Sequence, residues 1–318
     1  MVEKVREGTR DGYGRALLEI ARKDSQVVAL DCDLGRSTRS FRITEVDPKR
    51  FFEMGIAEQD MISTAAGLAR EGKVVFANSF AVFLVGRAYD QIRQQVALPR
   101  TNVKLCGSSG GITQGPDGAT HQSVTDVNLM RGLPNMVVMV PADGRQAEAA
   151  VWAAYRMQGP VYLRLSRFQT SHFIPKDMTF EIGRAQILRE GVYVVLAGTG
   201  PVLQEVLKAA ECLEKEGVSA AVYNFHTLKP LDIELVKQLC SEFPVVISIE
   251  EHSIYGGLGT AMAEVMMESV EPERRPVFYR LGVRDTFGES GTAEELLAKH
   301  GLDERGIANS VRRILSGR

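Results

Sequence analysis

Phe51-Phe-Glu-Met-Gly-Ile-Ala-Glu-Gln-Asp60 decides the reading of this chain. The stretch reads as a buried strand ending in a turn at Gly55, followed by a helix that opens on a carboxylate, Glu58. That helix, Glu58 to Arg70, gathers small residues (Ala65, Ala66, Gly67, Ala69), which suits close packing on a sheet. An acid at a helix start is ordinarily just a favourable charge at the positive end of the helix dipole. Two further stretches give Glu58 a second reading. Asn78-Ser-Phe-Ala-Val-Phe-Leu84 supplies Phe80 and Phe83, and Gly115-Pro-Asp-Gly-Ala-Thr-His-Gln122 supplies Asp117 and His121 in a Gly-rich loop. Glycines let backbone approach a ligand closely. Two phenylalanines three apart are, on spacing alone, more often plain core.

Outward from this stretch, short apolar runs alternate with longer helical patterns. Strands are predicted at 27–30, 73–78, 103–106, 136–140 and 161–165, and again at 192–197, 219–224, 245–249 and 277–281. Helical patterns lie between them, for example 12–23, 87–98, 144–157 and 202–216. Continuous Val/Ile/Leu runs joined by helices imply parallel strands covered on both faces. The expected fold is therefore α/β: two doubly wound, three-layer αβα domains. The predicted division is 1–170, a polar linker at 171–188 around Pro175, and 189–318.

Length and composition fit that picture. The chain has 318 residues, 44% hydrophobic and 25% charged, with a net charge of −2. Such a balance gives no electrostatic case for nucleic acid or an anionic membrane. No apolar run is long enough to span a bilayer. Met1-Val-Glu-Lys-Val-Arg6 lacks the apolar core of a signal peptide. The cysteines, Cys32, Cys106, Cys212 and Cys240, form no Cys-x-x-Cys pair and no zinc-spaced cluster. They read as small core residues of a cytoplasmic protein.

Gly55-Ile-Ala-Glu58-Gln, the Phe80/Phe83 pair and the Asp117–His121 loop, in that order, resemble the pyrimidine-binding domain of transketolase-type thiamine diphosphate enzymes. The resemblance implies that Glu58 hydrogen-bonds ring N1′ of the cofactor and activates it. A dry site strengthens such a bond. Phe83 is expected to stack on the aminopyrimidine and Phe80 to form a second wall. Gly86 stands where the family usually has a third aromatic residue. Asp117 and His121 match residues that contact the hydroxyls of the ketose donor, with His121 nearest the reacting carbonyl. Asp33, in Asp31-Cys-Asp-Leu-Gly-Arg-Ser37, matches an aspartate near the thiazolium. Arg10, Ser37 and Arg167 match the phosphate site of the family, where cationic clamps set specificity. Ser109 occupies the place of a family histidine, which leaves an altered phosphate, a sulfonated sugar or a branched sugar open.

The family holds the cofactor diphosphate through Mg²⁺ on a Gly-Asp-Gly motif followed by Asn, and no such motif occurs here. Arg10-Asp-Gly-Tyr-Gly and Pro116-Asp-Gly-Ala lack its first Gly. The resemblance covers the C-terminal half of a transketolase. It implies one subunit of a split enzyme, with Mg²⁺ supplied by an N-terminal-half partner in a two-plus-two assembly. The implied reaction transfers a two-carbon ketol unit from a ketose phosphate to an aldose phosphate. The alternatives are 1-deoxyxylulose-5-phosphate synthase-like chemistry, suggested by Arg87-Ala-Tyr-Asp-Gln91, the β subunit of a 2-oxoacid dehydrogenase, and a non-catalytic paralogue. The Gly-rich turn Gly256-Gly-Leu-Gly259 lacks the spacing of a dinucleotide site. The remaining histidines, His172, His226, His252 and His300, read as structural.

Overall fold

The computed structural model describes residues 5–317; the ends at 1–4 and 318, including most of the N-terminal Met1–Arg6 stretch, lie outside the described residues. Its strands are β1 (Arg6–Glu7), β2 (Val27–Asp31), β3 (Phe51–Glu53), β4 (Val74–Phe80), β5 (Val103–Ser108), β6 (Val137–Met139), β7 (Val161–Arg164), β8 (Thr170–Ser171), β9 (Gln186–Arg189), β10 (Val194–Thr199), β11 (Ala220–Asn224), β12 (Thr227–Lys229), β13 (Val245–Ser253) and β14 (Val277–Val283). The larger sheet runs β12-β6-β7-β5-β4-β2-β3 and the second runs β14-β13-β10-β11-β9, while β1 and β8 form a two-stranded ribbon. Within the larger sheet every pairing is parallel except β12 on β6. In the second sheet only β9, on β11, is antiparallel. Two doubly wound α/β domains result.

Burial explains why the strands read as continuous apolar runs. All of β2 and all of β10 are buried, so each sheet is covered on both faces. Alternate residues serve opposite faces. Val27 and Ala29 pack with Tyr13, Leu17 and Ile20 of the helix Thr9–Lys23, whereas Val28 and Leu30 pack with Met61, Ile62 and Ala65 of the helix Glu58–Arg70. The second of these cores continues into the other domain through Val195, Phe225 and Val246, so the domains share apolar packing.

The structure corrects three expectations. The strand at Phe51 is half-buried, not buried, because β3 is the edge of its sheet and Glu53 faces solvent. The helix expected over 87–98 is broken: one helix, Ala81–Arg87, ends where it was to begin, and a short turn at Tyr89–Gln91 leads into a wider π-type turn at Ile92–Ala97. The polar stretch after Phe168 is not a free tether. Phe168 and Ile174 are buried in the core of the second domain. One strand also crosses over: β12 lies after the second domain has begun, yet it closes the edge of the first domain's sheet beside β6.

Candidate functional site

The parallel strands β2, β3, β4 and β5 bring the loops that follow them to one edge of the larger sheet. In open α/β sheets this carboxyl edge is where ligands bind. After β3, Gly55 adopts a φ of 66°, which an L side chain resists, and the chain turns into the helix Glu58–Arg70. Glu58 is the first residue of that helix and is 3% exposed. Its Oε1 accepts a hydrogen bond from Ser79 Oγ at 3.1 Å. Arg87 Nη1 donates to Oε1 at 3.2 Å and to Oε2 at 3.1 Å.

Phe80 ends β4 and caps the helix Ala81–Arg87, which carries Phe83. Phe80 is buried and Phe83 half-buried, with ring centroids 6.1 Å apart and planes 19° apart. His121 meets both rings edge-on, at 5.1 Å from Phe83 and 6.3 Å from Phe80. Its Nδ1 lies 2.9 Å from Thr120 Oγ1. Through Arg87, whose guanidinium lies 4.2 Å from the Phe83 centroid, Glu58 joins the same group. Glu58, Phe80, Phe83 and His121 are thus gathered in one place from three separate stretches.

The anion-binding candidates form a neighbouring group. Arg10 Nη1 donates to the Ser37 carbonyl at 3.0 Å and to Ser37 Oγ at 3.2 Å. Arg167 Nη1 pairs with Asp117 Oδ2 at 3.0 Å, and Gln114 donates to the same oxygen. Arg10 and Arg167 line one open cleft of about 440 Å³ with Arg6, Gln114 and Glu294. Burial, then the charges of Arg39 and Arg167, pulls the Arg10 guanidinium below its usual range. Arg10 Nε is buried without a partner. An anion in this cleft would relieve both conditions. Asp33 stands apart. It is exposed at a φ of 60°, its N–H donates to Glu53 Oε1 at 2.7 Å, and among the described residues no hydrogen bond or ion pair joins its side chain to Glu58.

Sequence reasoning passed over the supports beneath the His121 loop. Arg164 and Asp126 form a fully buried pair, Nε to Oδ2, at 2.9 Å, and Tyr162 donates to the same oxygen at 2.6 Å. Arg164 Nη2 also donates to the carbonyls of Ser123 and Glu251, at 3.1 and 2.9 Å. Glu251 Oε1 accepts from the Thr113 N–H at 2.5 Å and from its hydroxyl at 2.6 Å. A side chain on Gly111, which sits at a φ of 90°, would collide with that carboxylate. Gln122 Nε2 ties the loop end to the carbonyls of Ile112, Gly115 and Glu289. The second domain therefore sets the position of the loop. The available signal was Glu250-Glu251-His252, three ionisable residues continuing an apolar strand. All three are buried in β13, and burial pushes Glu250 up to about 7 and His252 down to about 4.

Two doubly wound domains, with a buried acid and a wall of rings at a carboxyl edge, define an α/β chain with a candidate ligand site there. The family description "transketolase, pyrimidine binding domain" matches residues 7–171, and "transketolase, C-terminal domain" matches 183–307. This chain belongs to the transketolase family, as a C-terminal-half subunit. It is 42% identical to a Methanocaldococcus jannaschii protein provisionally named a transketolase C-terminal section, over 96% of each. It is 40% identical to the 6-deoxy-6-sulfo-D-fructose transketolase subunit SqwH of a Clostridium species, over 96% of this chain and 94% of that one. A split-gene transketolase solved as an inactive beta4 tetramer superposes with a TM-score of 0.88 at 42% identity, covering 98% of this chain and 99% of that chain.

The family implies thiamine diphosphate, and the residues fit its pyrimidine end. A flat, hydrogen-bonding group, the Arg87 guanidinium, already spans Glu58 and the face of Phe83. Among the described residues no cluster of three His, Cys, Asp or Glu side chains could hold a metal ion. Among them, too, no helix is long and apolar enough to cross a membrane.

Proposed function

We propose that this chain is the pyrimidine-binding half of a two-part transketolase that transfers a two-carbon ketol unit from a ketose phosphate to an aldose phosphate. The observation that carries the reading is the buried Glu58 carboxylate joined through Arg87 to the face of Phe83, which His121 meets edge-on. When bound, thiamine diphosphate supplies the carbon nucleophile and electron sink for making and breaking the carbon–carbon bond. Glu58 holds a proton at ring N1′. Phe83 gives the ring its stacking face and Phe80 closes the wall behind it. His121 hydrogen-bonds the oxygens around the reacting carbonyl, and Asp117 reads a neighbouring hydroxyl. Arg10, Ser37 and Arg167 clamp the terminal anion, and Asp33 lies toward the thiazolium side.

The partner, an N-terminal-half subunit, holds Mg²⁺ and the diphosphate in a two-plus-two assembly. The split-gene relative solved as an inactive beta4 tetramer supports the need for that partner. The domain division at 170 and 188 belongs to the same reading. So does a cytoplasmic home, which four unpaired cysteines support.

The test is transfer from xylulose 5-phosphate to ribose 5-phosphate, with thiamine diphosphate and Mg²⁺, by the chain alone and with its partner. Turnover only in the mixture is expected. Turnover by the chain alone overturns the split, and turnover only with pyruvate and glyceraldehyde 3-phosphate overturns the reaction.

Anion recognition gives a separate prediction. Arg167→Ala lowers kcat/KM for phosphorylated donors by about 10–100-fold, the loss expected for one charge-assisted hydrogen bond. Non-phosphorylated ketoses lose less, only what loosening the paired Asp117 costs. Equal losses on both donors would remove Arg167 from the anion site. The sulfofructose-named relative makes a sulfonated donor the informative third arm. Preference for it over the phosphate would reassign the anion.

A further inference from the structure

Arg87 fills the space between Glu58 and Phe83, and the proposed chemistry gives it no role. It ends the helix Ala81–Arg87, four residues after Phe83, so the two side chains share one face. Its guanidinium carbon sits 4.2 Å from the Phe83 centroid. Its Nη1 reaches both oxygens of Glu58, at 3.2 and 3.1 Å. A guanidinium is planar, carries donors along its edge and stacks on aromatic faces. Here it makes the two contacts that a flat aminopyrimidine would need, one with the acid and one with the ring face. Stacked groups approach to about 3.5–4 Å, so a ring on the face of Phe83 that Arg87 covers would meet the guanidinium. A pyrimidine that used this face of Phe83 and this edge of Glu58 would have to displace Arg87.

We propose that Arg87 is a latch that closes the cofactor pocket of this chain, and that thiamine diphosphate enters only after Arg87 has swung off Glu58 and Phe83. The proposal rests on the reading of Glu58 and Phe83 given above. Glu58 is 3% exposed, and a buried carboxylate without a partner is costly. Arg87 is its charged partner, beside the Ser79 hydroxyl. The Arg87 side chain is 47% exposed, so the swing carries its charge into water rather than through the core. Ser79 Oγ stays on Glu58 Oε1 and keeps the acid in place while Arg87 moves. The affinity of a site that must first open is reduced by the fraction of time it is open.

The experiment is calorimetric titration of thiamine diphosphate and Mg²⁺ into this chain assembled with its N-terminal-half partner, using wild type, Arg87→Ala and Arg87→Lys. A latch closed about nine-tenths of the time makes Arg87→Ala bind about tenfold more tightly than wild type. Arg87→Lys keeps the charge but loses the planar fork, and it falls between the two. Equal affinity in all three proteins overturns the latch while leaving the cofactor reading intact. Weaker binding by Arg87→Ala also overturns it, since Arg87 would then hold the cofactor rather than exclude it. No binding by any of the three overturns both the latch and the cofactor reading.

Discussion

Glu58→Gln lowers turnover of the assembled enzyme by about 10³-fold or more and leaves the fold intact. The magnitude is that of a proton-transfer group removed from a dry site. Gln has nearly the same shape, so the pocket at the start of the helix Glu58–Arg70 does not collapse. Its amide can still form a hydrogen bond, but it carries no acidic proton to hold at ring N1′. The lost ion pair costs little stability, because Arg87 is about half exposed and water replaces its partner. The thermal midpoint of Glu58→Gln should therefore stay within a few degrees of wild type. Calorimetry separates binding from chemistry: the variant still binds thiamine diphosphate, with Arg87 held less firmly. Turnover comparable to wild type in Glu58→Gln would end the assignment of Glu58 as the activating acid.

The sequence placed Glu58 at a helix start because the signal was local. Gly55 needs a left-handed backbone, and an apolar, small-residue helical pattern follows at once. The β2, β4, β5 and β10 runs were legible for the same reason, as buried strands carry their own composition. What escaped was non-local or depended on geometry finer than a pattern. Thr227-Leu-Lys229 is too short for any periodicity, and its pairing with β6 joins two domains. The widened turn at Ile92–Ala97 keeps helical composition while shifting the register. Arg87 was visible only as part of a motif, because its contact with Glu58 spans 29 residues of sequence. Phe80 and Phe83 were ambiguous between core and site. The structure leaves Phe83 half-buried and touched by Arg87 and His121, which plain core packing does not require. Glu251 gave no local sign that it would reach Thr113 in the other domain.

Asp126→Ala should destabilise the chain by about 3–5 kcal/mol, the cost of leaving a buried charge without its partner. Asp126 is fully buried, and one of its oxygens takes hydrogen bonds from both Arg164 and Tyr162. Removing the carboxylate strands the Arg164 guanidinium, which is only 6% exposed. Replacing both members should cost less than either single change. Asp126→Leu with Arg164→Met removes the charge and its counter-charge together, and a double-mutant cycle measures the difference. Additive losses would deny the pair any coupling. The pH dependence has a definite sign. Burial pulls Asp126 upward, but the charges of Arg164 and His252, then the hydrogen bonds from Tyr162 and Arg164, outweigh it, so the folded value lies below the ordinary one. The unfolded value is about 3.9, so the contribution is complete above that pH and is lost as pH falls through the folded value. Wild type should lose this increment in acid while Asp126→Ala has none to lose. The same pair supports the His121 loop, because Arg164 also holds the carbonyls of Ser123 and Glu251. At a temperature where Asp126→Ala remains folded, KM for the ketose donor should rise as the loop loosens. Stability lost with donor kinetics unchanged would mean that the loop is held by Gln122 and Thr113 alone.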